Sequence, residues 1–348
     1  MRIALDATYS IDPQPSGIAV YSRKILEGLA SAHPQDEFLH CYRPKQFRRP
    51  APRAVSNVRR RLLLPPLATF RAEIFHALNQ RVDARPAKHV VATMHDLFVL
   101  TGEYSSPEFR ARFSQQAQRA AENSDLLIAV SEFTAEQVSA HLDFDRARIR
   151  VIPHGVNQPT PQTNRERENL ILFVGALQVR KNVSRLVEAF ESLQLEPMMK
   201  GWRLVLAGAR TGYGAAAILS RIENSMHRER IDVRGYLPAD SLEQLYARAS
   251  IFAFPSLDEG FGIPVLEAMA RGVPVVTSNC SALPEVAGEA ALLVNPRSSA
   301  EIAEALMRLA KDAKLRERYA ELGRARAGLF PWGRAVSATY EVYRELQR

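Results

Sequence analysis

The pattern that most constrains this chain is an alternation of short apolar runs with amphipathic stretches, which occurs twice. In the first half RIALDATY, HVVATM and DLLIAV predict strands, and in the second half NLILFVG, WRLVLAG and SIFAFPS do the same. Strands that are separated by helices form parallel sheets with crossover connections. The sequence therefore predicts an α/β protein with two Rossmann-like, doubly wound parallel sheets.

A polar segment separates the two halves. Residues 155–168, GVNQPTPQTNRERE, carry prolines and no periodic pattern, as a linker does. We predict an N-terminal domain over 1–158, a second domain over 166–330, and a final helical segment over 331–348. A chain of 348 residues suits two such cores. Because open parallel sheets bind ligands at the carboxyl ends of their strands, we expect a cleft between the halves to hold the ligand.

The amino-acid composition indicates which kinds of ligand or surface the protein is expected to bind. Lys and Arg number 46 against 38 acids, a net charge of +8, which favours anionic partners such as nucleotides, phosphates or an acidic membrane face. The two cysteines lie far apart and form no metal-binding motif. No signal peptide and no run of about 18 apolar residues is present, so a cytoplasmic protein, peripheral to a membrane at most, is expected.

The stretch SLDEGFGIPVLEAMARGVPVV places two carboxylates, Glu259 and Glu267, eight positions apart. Pro264 and Gly272 bound a predicted helix over about 264–271. The glycines before it allow backbone N–H groups to approach an anion at the helix N-terminus. Phosphate-binding donors beside carboxylates suit a phosphorylated polyol. The alternative is that Glu267 only complements the helix dipole and Glu259 is solvated.

Two cations precede another helix. In FVGALQVRKN, Arg180 and Lys181 follow a strand and oppose the dipole of the coming helix, at a cost of about 0.3–1 kcal/mol each. An anion between these cations and the helix would compensate that cost, whereas the alternative is two solvated surface cations. Gly17, after the first strand, either admits a phosphate closely or is only a turn glycine.

Histidines also lie at predicted strand ends. His95 and Asp96 follow HVVATM, and His76 has a similar place in EIFHALNQ. Such histidines act either in the cleft or as satisfied structural groups. Asp143 and Asp145 form the D-x-D pattern that holds divalent metals in some nucleotide-sugar enzymes, but their position after a helix favours a solvated loop. Asp240 with Glu243, and Ser298 with Glu301, have the spacing of helix capping boxes.

Taken together, the ordered motifs SGIAVYSRKIL, VIPHGVN, GALQVRKN, LAGAR, VRGYLPADSLEQLYARAS and PSLDEGFGIPVLEAMARGVPVV resemble family 4 of the retaining glycosyltransferases, which have the GT-B fold. The resemblance extends from Asp6 to the last helix, which in the family crosses back to the first domain. Ser16 is a departure, since many relatives have a second glycine beside the one at Gly17.

The resemblance implies a role for each motif residue. Glu259 would bind hydroxyls of the donor sugar, Glu267 would bind the ribose, and Arg180 and Lys181 would hold the diphosphate and stabilise the leaving group. His95 would lie near the anomeric carbon, with His76 and Asp96 on the acceptor side. Further donor contacts would come from Gly17 at the diphosphate, from Phe261, Gly262 and Ile263 at the sugar and phosphate, and from Gly235, Tyr236 and Leu237 at the base.

The implied reaction moves a hexose from a nucleotide diphosphate sugar to a glycan or lipid-diphosphate acceptor with retention and without metal or other cofactor. GDP-mannose is the favoured donor, and UDP-glucose, UDP-N-acetylglucosamine and a rhamnose donor remain alternatives. A nucleotide-sugar 2-epimerase and a non-catalytic, two-lobed sugar-binding module are the rival functions. No nucleic acid partner is expected.

Residues 43–66 form a basic run. They contain eight cations and no acid, with leucines and paired prolines at the end of the run. This segment is either a solvated connection or a docking site for an anionic membrane or a lipid-diphosphate acceptor. The cations are Arg43, Lys45, Arg48, Arg49, Arg53, Arg59, Arg60 and Arg61.

Overall fold

A computed structural model describes residues 1–12, 15–49, 55–64, 71–159 and 167–348. The middle of the predicted linker, residues 160–166, lies outside these ranges, as do Arg53 and the paired prolines of the basic run. The chain divides into two compact units. Unit 1 comprises 1–155 and 330–348, and unit 2 comprises 156–329. The predicted acceptor and donor roles of the two parts stay predictions.

Unit 1 contains a parallel sheet of seven described strands in the order β3-β2-β1-β4-β5-β6-β7. Its strands pair only in parallel, with Leu5 of β1 opposite His76 of β4 and Cys41 of β2 opposite Asp6. The strands are β1 Arg2–Asp6, β2 Glu37–Tyr42, β3 Val58–Leu62, β4 Ile74–Ala77, β5 His89–Met94, β6 Leu126–Ala129 and β7 Ile149–Val151. The order reverses between β1 and β4, which makes the carboxyl ends of those strands the topological switch point.

Capping residues and apolar stripes in the sequence account for the helices of unit 1. Ser106 and Ser131 accept hydrogen bonds from the backbone N–H groups three residues on, at the starts of two of them. The helices are α1 Gly17–Ala32, α2 Pro44–Phe47, α3 Phe98–Thr101, α4 Pro107–Asn123 and α5 Glu132–Leu142. They cover both faces of a sheet whose central strands are buried, in agreement with the continuous apolar runs.

The basic run is only partly a connection. Residues Val58–Leu62 form the edge strand β3, which pairs with β2 in register Phe38 to Val58. Arg60 lies against the rings of Tyr42 and Phe47, at 4.7 and 5.0 Å from their centroids. A strand was not predicted here because three consecutive arginines hide the alternation of a half-buried strand.

Unit 2 repeats the architecture with six described strands in the order β10-β9-β8-β11-β12-β13, again pairing only in parallel. The strands are β8 Glu168–Val174, β9 Arg203–Ala207, β10 Ile231–Gly235, β11 Ala249–Phe254, β12 Val275–Ser278 and β13 Ala291–Val294. The helices are α6 Val183–Leu193, α7 Ala215–Glu223, α8 Ala239–Arg248, α9 Ile263–Ala270, α10 Leu283–Ala287, α11 Ser299–Lys311 and α12 Ala313–Gly328. The order reverses between β8 and β11, so the loops after these strands meet at the switch point.

Two predicted capping boxes have different outcomes. Ser298 accepts a hydrogen bond from the Glu301 backbone at 3.1 Å and caps α11, which is half of the predicted box, while the Glu301 carboxylate accepts from the N–H of Asn295 at 3.0 Å. The prediction for Asp240 and Glu243 was wrong, because α8 begins after Pro238, and Glu243 uses its carboxylate to hold Arg271.

The last helix, α13 Trp332–Glu345, belongs to unit 1 and packs on α1. Gly28 of α1 permits this contact, because a Cβ at that position would lie 2.4 Å from Val336 of α13. Within the described ranges, every helix is too short or too polar to cross a lipid bilayer.

Candidate functional site

The two loops at the unit 2 switch point carry the predicted charged residues. After β8 a turn of 3₁₀ helix over Val179–Lys181 leads into α6, and after β11 an eight-residue loop leads to α9. The loops are joined by the backbone, since the N–H of Leu257 donates to the carbonyl of Arg180 at 2.7 Å. The fold thus brings together residues about 80 positions apart.

Arg180, Lys181 and Glu259 form a buried ion cluster there. The ammonium of Lys181 donates to Oε1 of Glu259, and Nη1 of Arg180 lies 3.0 Å from the same oxygen. Arg180 also donates to the backbone carbonyl of Asp258 at 2.9 Å. The side chains of Arg180, Lys181 and Glu259 are 11%, 10% and 9% exposed. The solvated alternatives for these three residues are therefore wrong in this structure.

The electrostatics of the cluster favour an ionised carboxylate. Burial alone would raise the pKa of Glu259, but the positive charges of Arg180 and Lys181 outweigh burial and lower it. Both cations therefore contact an ionised carboxylate, and pairing of this kind offsets the cost of burying the charges.

Asn182 fixes the cations at the start of α6. It adopts a left-handed conformation, φ +59°, which asparagine tolerates better than most residues. Its amide donates to the carbonyls of Pro255 and Pro296 at 2.9 and 2.6 Å. Lys181, next to it, lies over the ring of Phe254, with Nζ 4.8 Å from the centroid. The lysine head is therefore held by a carboxylate and an aromatic face.

The loop before α9 forms the other side of the site. Gly262 caps this helix with φ +108°, and a Cβ there would lie 2.7 Å from the side chain of Leu283, so glycine is required. Ile263 begins the helix, Pro264 follows in its first turn, and Phe261 is buried beside them. The first N–H groups of a helix lack intrahelical acceptors and favour anions.

Glu267 has a different environment from Glu259. It lies one turn into α9, and its Oε2 accepts a hydrogen bond from the hydroxyl of Tyr246 on α8 at 3.1 Å. Burial raises the pKa of Glu267, against the lowering effects of Arg271 and Tyr246. The two acids of the motif thus have pKa values shifted in opposite directions.

The predicted base-binding segment follows β10. Gly235 has φ +68°, and its carbonyl accepts a hydrogen bond from the N–H of Gly208 at 2.7 Å. Tyr236 is 41% exposed and Leu237 is half-buried. The contacts of this segment with a base stay a prediction.

In unit 1, Gly17 is the first residue of α1 and is exposed. Ser16, where relatives have a second glycine, is the N-cap of this helix and accepts from the N–H of Ala19 at 3.4 Å. The serine that departs from the family pattern therefore caps the start of α1. Contact of Gly17 with a phosphate stays a prediction.

His95 is buried at the end of β5 with both ring nitrogens directed at protein groups. Nε2 donates to the carbonyl of Leu78 at 2.9 Å, and Nδ1 lies 3.4 Å from Nε2 of His154, whose ring stacks on it. Burial lowers the pKa of His95 to about 4. At neutral pH this imidazole is uncharged and donates to the backbone.

His76 has a structural position. It is fully buried within β4, with Nδ1 2.6 Å from the hydroxyl of Tyr343 and Nε2 2.9 Å from the hydroxyl of Thr93. Both nitrogens therefore contact unit 1 itself, which favours the structural alternative for this residue. Asp96 is half-buried after His95, and its acceptor-side role stays a prediction.

The D-x-D residues both lie at the ends of helical segments. Asp143 ends α5 in a left-handed conformation, φ +48°, and Asp145 caps the following 3₁₀ turn through the N–H of Ala147 at 2.9 Å. Across the described ranges, no three His, Cys, Asp or Glu side chains group closely enough to hold a metal ion.

Sequence reasoning missed Tyr246 and His154. Both lie inside quoted motifs, LEQLYARAS and VIPHGVN, but neither was given a role. The signal for Tyr246 was available, since a tyrosine on the apolar side of a helix needs a partner for its hydroxyl when buried. Its partner, 21 positions away, could not be read from the sequence.

Two family models match the chain in succession. The model described as Glycosyltransferase Family 4 matches residues 15–158, and the model described as Glycosyl transferases group 1 matches residues 157–326. Together they extend over most of both units.

Individual proteins agree with the family models. The O-antigen chain mannosyltransferase B of Escherichia coli is 29% identical over 293 residues, which cover 80% of this chain and 76% of the relative. Among solved structures, sucrose-phosphate synthase from Thermosynechococcus elongatus superposes with a TM-score of 0.79 at 23% identity, covering 99% of both chains. Anabaena HepE, solved in complex with UDP and glucose, has a TM-score of 0.70 at 18% identity and 99% coverage of both. The chain belongs to glycosyltransferase family 4 and has the GT-B fold.

Proposed function

We propose that the protein is a retaining, metal-independent hexosyltransferase that uses a nucleotide diphosphate sugar, with GDP-mannose as the first candidate. Its acceptor is a glycan or a lipid-diphosphate-linked glycan of a surface polysaccharide. The observation that carries the proposal is the buried cluster of Arg180, Lys181 and Glu259 at the switch point of unit 2. This cluster combines two fixed cations with a hydrogen-bond acceptor at the place where parallel α/β sheets bind ligands.

In this proposal Arg180 and Lys181 bind the diphosphate. They are already fixed by Glu259, Asp258 and Phe254, so little reorganisation is needed when negative charge develops on the leaving group. Phe261, Gly262 and Ile263 supply backbone donors at the α9 N-terminus. The cations act as electrostatic stabilisers and transfer no proton.

Glu259 and Glu267 bind hydroxyl groups of the donor. The lowered pKa of Glu259 keeps it ionised, so it accepts hydrogen bonds from the sugar while it orients the cations. Glu267 accepts hydrogen bonds from the hydroxyls of the ribose. Gly235, Tyr236 and Leu237 lie by the base, Gly17 by the diphosphate, and His95 near the anomeric carbon.

The proposed chemistry is a front-face displacement. The acceptor hydroxyl oxygen bonds to C1 of the sugar on the face from which the diphosphate departs, and the C1–O bond to the diphosphate breaks. The hydroxyl proton moves to the leaving phosphate oxygen, so no protein base is required. The neutral, backbone-bound imidazole of His95 fits a reaction of this kind. A covalent glycosyl-enzyme on Glu259 would contradict it.

The donor choice is supported by the similar proteins. The O-antigen relative is named for mannose transfer and surface polysaccharide, whereas HepE was crystallised with UDP and glucose. A thermal-shift screen of GDP-mannose, UDP-glucose, UDP-N-acetylglucosamine and a rhamnose donor tests the proposal, because a bound ligand raises the melting temperature by mass action. We expect GDP-mannose to give the largest shift, and a larger shift with another donor would reassign the sugar.

A second experiment tests the reaction class. Incubation with donor alone should leave the nucleotide sugar unchanged, whereas a 2-epimerase would convert it to a new nucleotide sugar. A non-catalytic binding module would form no product even when an acceptor is added. With acceptor present, proton NMR of the first product should show the anomeric configuration of the donor. EDTA should not alter the rate. Loss of activity in EDTA with recovery in Mn²⁺ would contradict the metal-independent proposal.

We also propose that the basic run docks on an anionic membrane surface. Lys45, Arg48, Arg59 and Arg61 are exposed, and each cation near an anionic leaflet contributes about 1 kcal/mol. Arg60 is excluded from this role, because it donates to the carbonyls of Gln46, Phe47 and Arg49. Leu62 and Leu64 are 36% and 43% exposed beside the cations and can enter the interface.

Arg59 and Arg61 also have a local function. The odd-numbered residues of β3 bond to β2, as Asn57 and Leu63 show, so the carbonyls of Val58 and Arg60 lie on the open edge. Arg59 and Arg61 donate to those two carbonyls at 3.3 and 3.0 Å. Their replacement would expose a strand edge, which is an aggregation risk.

Lys45 and Arg48 are therefore the residues to change in a test of docking. The variant Lys45→Ser/Arg48→Ser should sediment less with phosphatidylglycerol vesicles, and added salt should weaken binding of the wild type. The control Lys311→Ser/Lys314→Ser removes two exposed cations from unit 2 and should bind as the wild type does. Equal recovery with phosphatidylcholine and phosphatidylglycerol vesicles would contradict docking.

A further inference from the structure

Tyr246 is a buried tyrosine on α8 that none of the roles above includes. Its side chain is 1% exposed, and its hydroxyl lies 3.1 Å from Oε2 of Glu267 on the neighbouring helix α9. Burial, followed by the nearby charge of Glu267, raises the pKa of Tyr246 well above its usual value. The phenol is therefore neutral at any ordinary pH and donates to the carboxylate.

The position of Tyr246 is fixed from several sides. The guanidinium of Arg271 lies 4.8 Å from the centre of its ring. Arg271 donates in turn to Glu243 of α8 at 2.7 Å and to the backbone carbonyl of Glu267 at 2.8 Å. This arrangement holds α8 and α9 in one register, with the phenol hydroxyl at the Glu267 carboxylate.

Arg167, directly before β8, joins the same two helices at their carboxyl ends. Its guanidinium donates to the carbonyls of Tyr246 and Ala249 at 3.0 and 2.6 Å, and to those of Arg271 and Gly272 at 2.7 and 3.2 Å. The backbone of Tyr246 and the end of α9 are therefore connected through one side chain. Relative movement of Tyr246 and Glu267 is restrained both at their side chains and at their helix ends.

The contact leaves one oxygen of Glu267 for a ligand. The side chain is half-buried, and Oε1 makes no hydrogen bond with any described residue. A carboxylate whose first oxygen is fixed presents the second in a defined direction, and such preorganisation reduces the cost of binding. The chemistry that matches an ionised oxygen so placed is a hydroxyl donor, such as the vicinal hydroxyls of a ribose.

We infer that Tyr246 is a positioning residue for the donor nucleotide, acting through Glu267. Its hydroxyl sets the orientation of the carboxylate that recognises the vicinal hydroxyls, and it does not touch the ligand itself. The inference rests on the proposed function, in which Glu267 binds the ribose. The competing explanation is that Tyr246 only packs α8 against α9.

The variant Tyr246→Phe separates the two explanations, because it keeps the ring under Arg271 and removes only the donor. The probes are GDP and UDP, each compared with its 2′,3′-dideoxy analogue by isothermal titration calorimetry. The wild type should prefer the diphosphate that carries both hydroxyls. In Tyr246→Phe that preference should fall about fivefold, the effect of losing roughly one hydrogen bond, while binding of the dideoxy analogue stays unchanged. A packing role would weaken both ligands equally.

Two controls complete the design. Tyr343→Phe removes another buried tyrosine hydroxyl, in unit 1, and should leave the preference intact. In a Glu267→Ala background, Tyr246→Phe should cause no further loss of preference, because both changes act on one contact. Should Tyr246→Phe fail to fold by thermal unfolding, Glu267→Asp tests the same contact, since the shorter chain withdraws from the Tyr246 hydroxyl and should also lose the preference.

The outcomes distinguish the inference from the function. An undiminished preference in Tyr246→Phe, or in Glu267→Asp, would overturn the inference and leave the proposed function standing. Equal binding of full and dideoxy nucleotides by the wild type would overturn the inference together with the ribose contact proposed for Glu267, and would leave the proposed sugar transfer standing. Failure of the wild type to bind either diphosphate would contradict the proposed function, and the inference would fall with it.

Discussion

The carboxyl ends of the two parallel sheets carry polar groups of opposite kinds. In unit 1 the buried side chains at β4 and β5 are neutral. His76 contacts the hydroxyls of Thr93 and Tyr343, and His95 donates to the backbone. In unit 2 the corresponding loops hold a buried carboxylate between two cations, Arg180 and Lys181. The same sheet architecture therefore positions a hydrogen-bonded structural network in one unit and an ionic cluster in the other.

The difference separates polar groups that are buried in a neutral form from polar groups that are buried as ions. Burial keeps His76 and His95 uncharged, with pKa values lowered to about 3 and about 4, so their contacts stabilise unit 1 without a counterion. The cluster of unit 2 is ionic instead, since Arg180 and Lys181 both contact the carboxylate of Glu259. Fixed charges of this kind attract an anionic ligand more strongly than a neutral histidine network does.

The largest effect is expected from the cations. Replacing Arg180 and Lys181 together with Ala should lower kcat/KM by at least ~10²-fold, the scale of one lost preorganised stabilising donor. The chain supplies a matched control, because Arg203 and Arg248 share Glu168 in a second pair of cations around one acid at the start of β8. The control double variant Arg203→Ala/Arg248→Ala should keep full kcat/KM in the same assay. Equal losses in both double variants would show that the effect is structural.

A smaller effect is expected from the acids. Glu259→Ala should lower kcat by about tenfold or more, as for a lost hydrogen bond to a charged group. It should not weaken binding of the nucleoside diphosphate, because Arg180 and Lys181 lose their competing anion. Glu267→Ala should instead weaken nucleotide binding with a smaller change in kcat. Steady-state kinetics and calorimetry measure both, with Glu168→Ala as the control. An unchanged kcat in Glu259→Ala would contradict its assigned role.

The sequence predicted the two sheets because their strands are buried on both faces and read as continuous apolar runs. The helix predicted over 264–271 is observed as Ile263–Ala270, since Pro264 and Gly272 mark its ends locally. Strand β3 and the start of α8 were missed or misplaced for a common reason. Their residues, Arg60 and Glu243, make tertiary contacts that local spacing does not reveal.

The residues of the candidate site could be predicted from the sequence, but which of their side chains contact each other could not. The cost of two cations at a helix N-terminus predicts a nearby anion, and the structure shows that Glu259, 78 positions from Lys181, is one such anion. Tyr246, the partner of Glu267, and His154, the neighbour of His95, were not predicted. Which groups meet at a switch point depends on strand order, and strand order cannot be read from spacing along the chain.

The histidine network predicts a pH dependence confined to unit 1. The pKa of His95 is lowered from 6.5 to about 4, so between these values the unfolded chain binds a proton that the folded chain excludes. Stability should therefore fall as pH falls from 6.5 towards 4, by up to about 1.4 kcal/mol per pH unit for each such histidine. Trp332 reports on unit 1 in a Trp202→Phe protein, so urea unfolding followed by its fluorescence measures the slope.

The variant His95→Asn keeps a donor for the Leu78 carbonyl and removes the titrating group. Its pH slope should be smaller than that of the parent by roughly the contribution of one histidine. The control His141→Asn changes an exposed histidine of the same unit and should leave the slope as it is. A slope that is equal in His95→Asn and the parent would show that His95 is not buried in its neutral form.

The smallest effect is expected at the contact between the last helix and the sheet. Tyr343→Phe removes the hydroxyl that lies 2.6 Å from Nδ1 of His76 and leaves the ring in place. The loss should be about 1 kcal/mol, because one buried hydrogen bond is broken and the volume is nearly kept. Measured by Trp332 fluorescence in the Trp202→Phe background, the urea midpoint should decrease with an unchanged slope, since the surface exposed on unfolding is the same. Tyr213→Phe, at a tyrosine of unit 2 that is 47% exposed, should leave the midpoint where it is. A midpoint unaffected by Tyr343→Phe would mean that the hydrogen bond to His76 does not stabilise unit 1, and that α13 is held by its other contacts, such as Val336 against Gly28 and Tyr340 with Asp36.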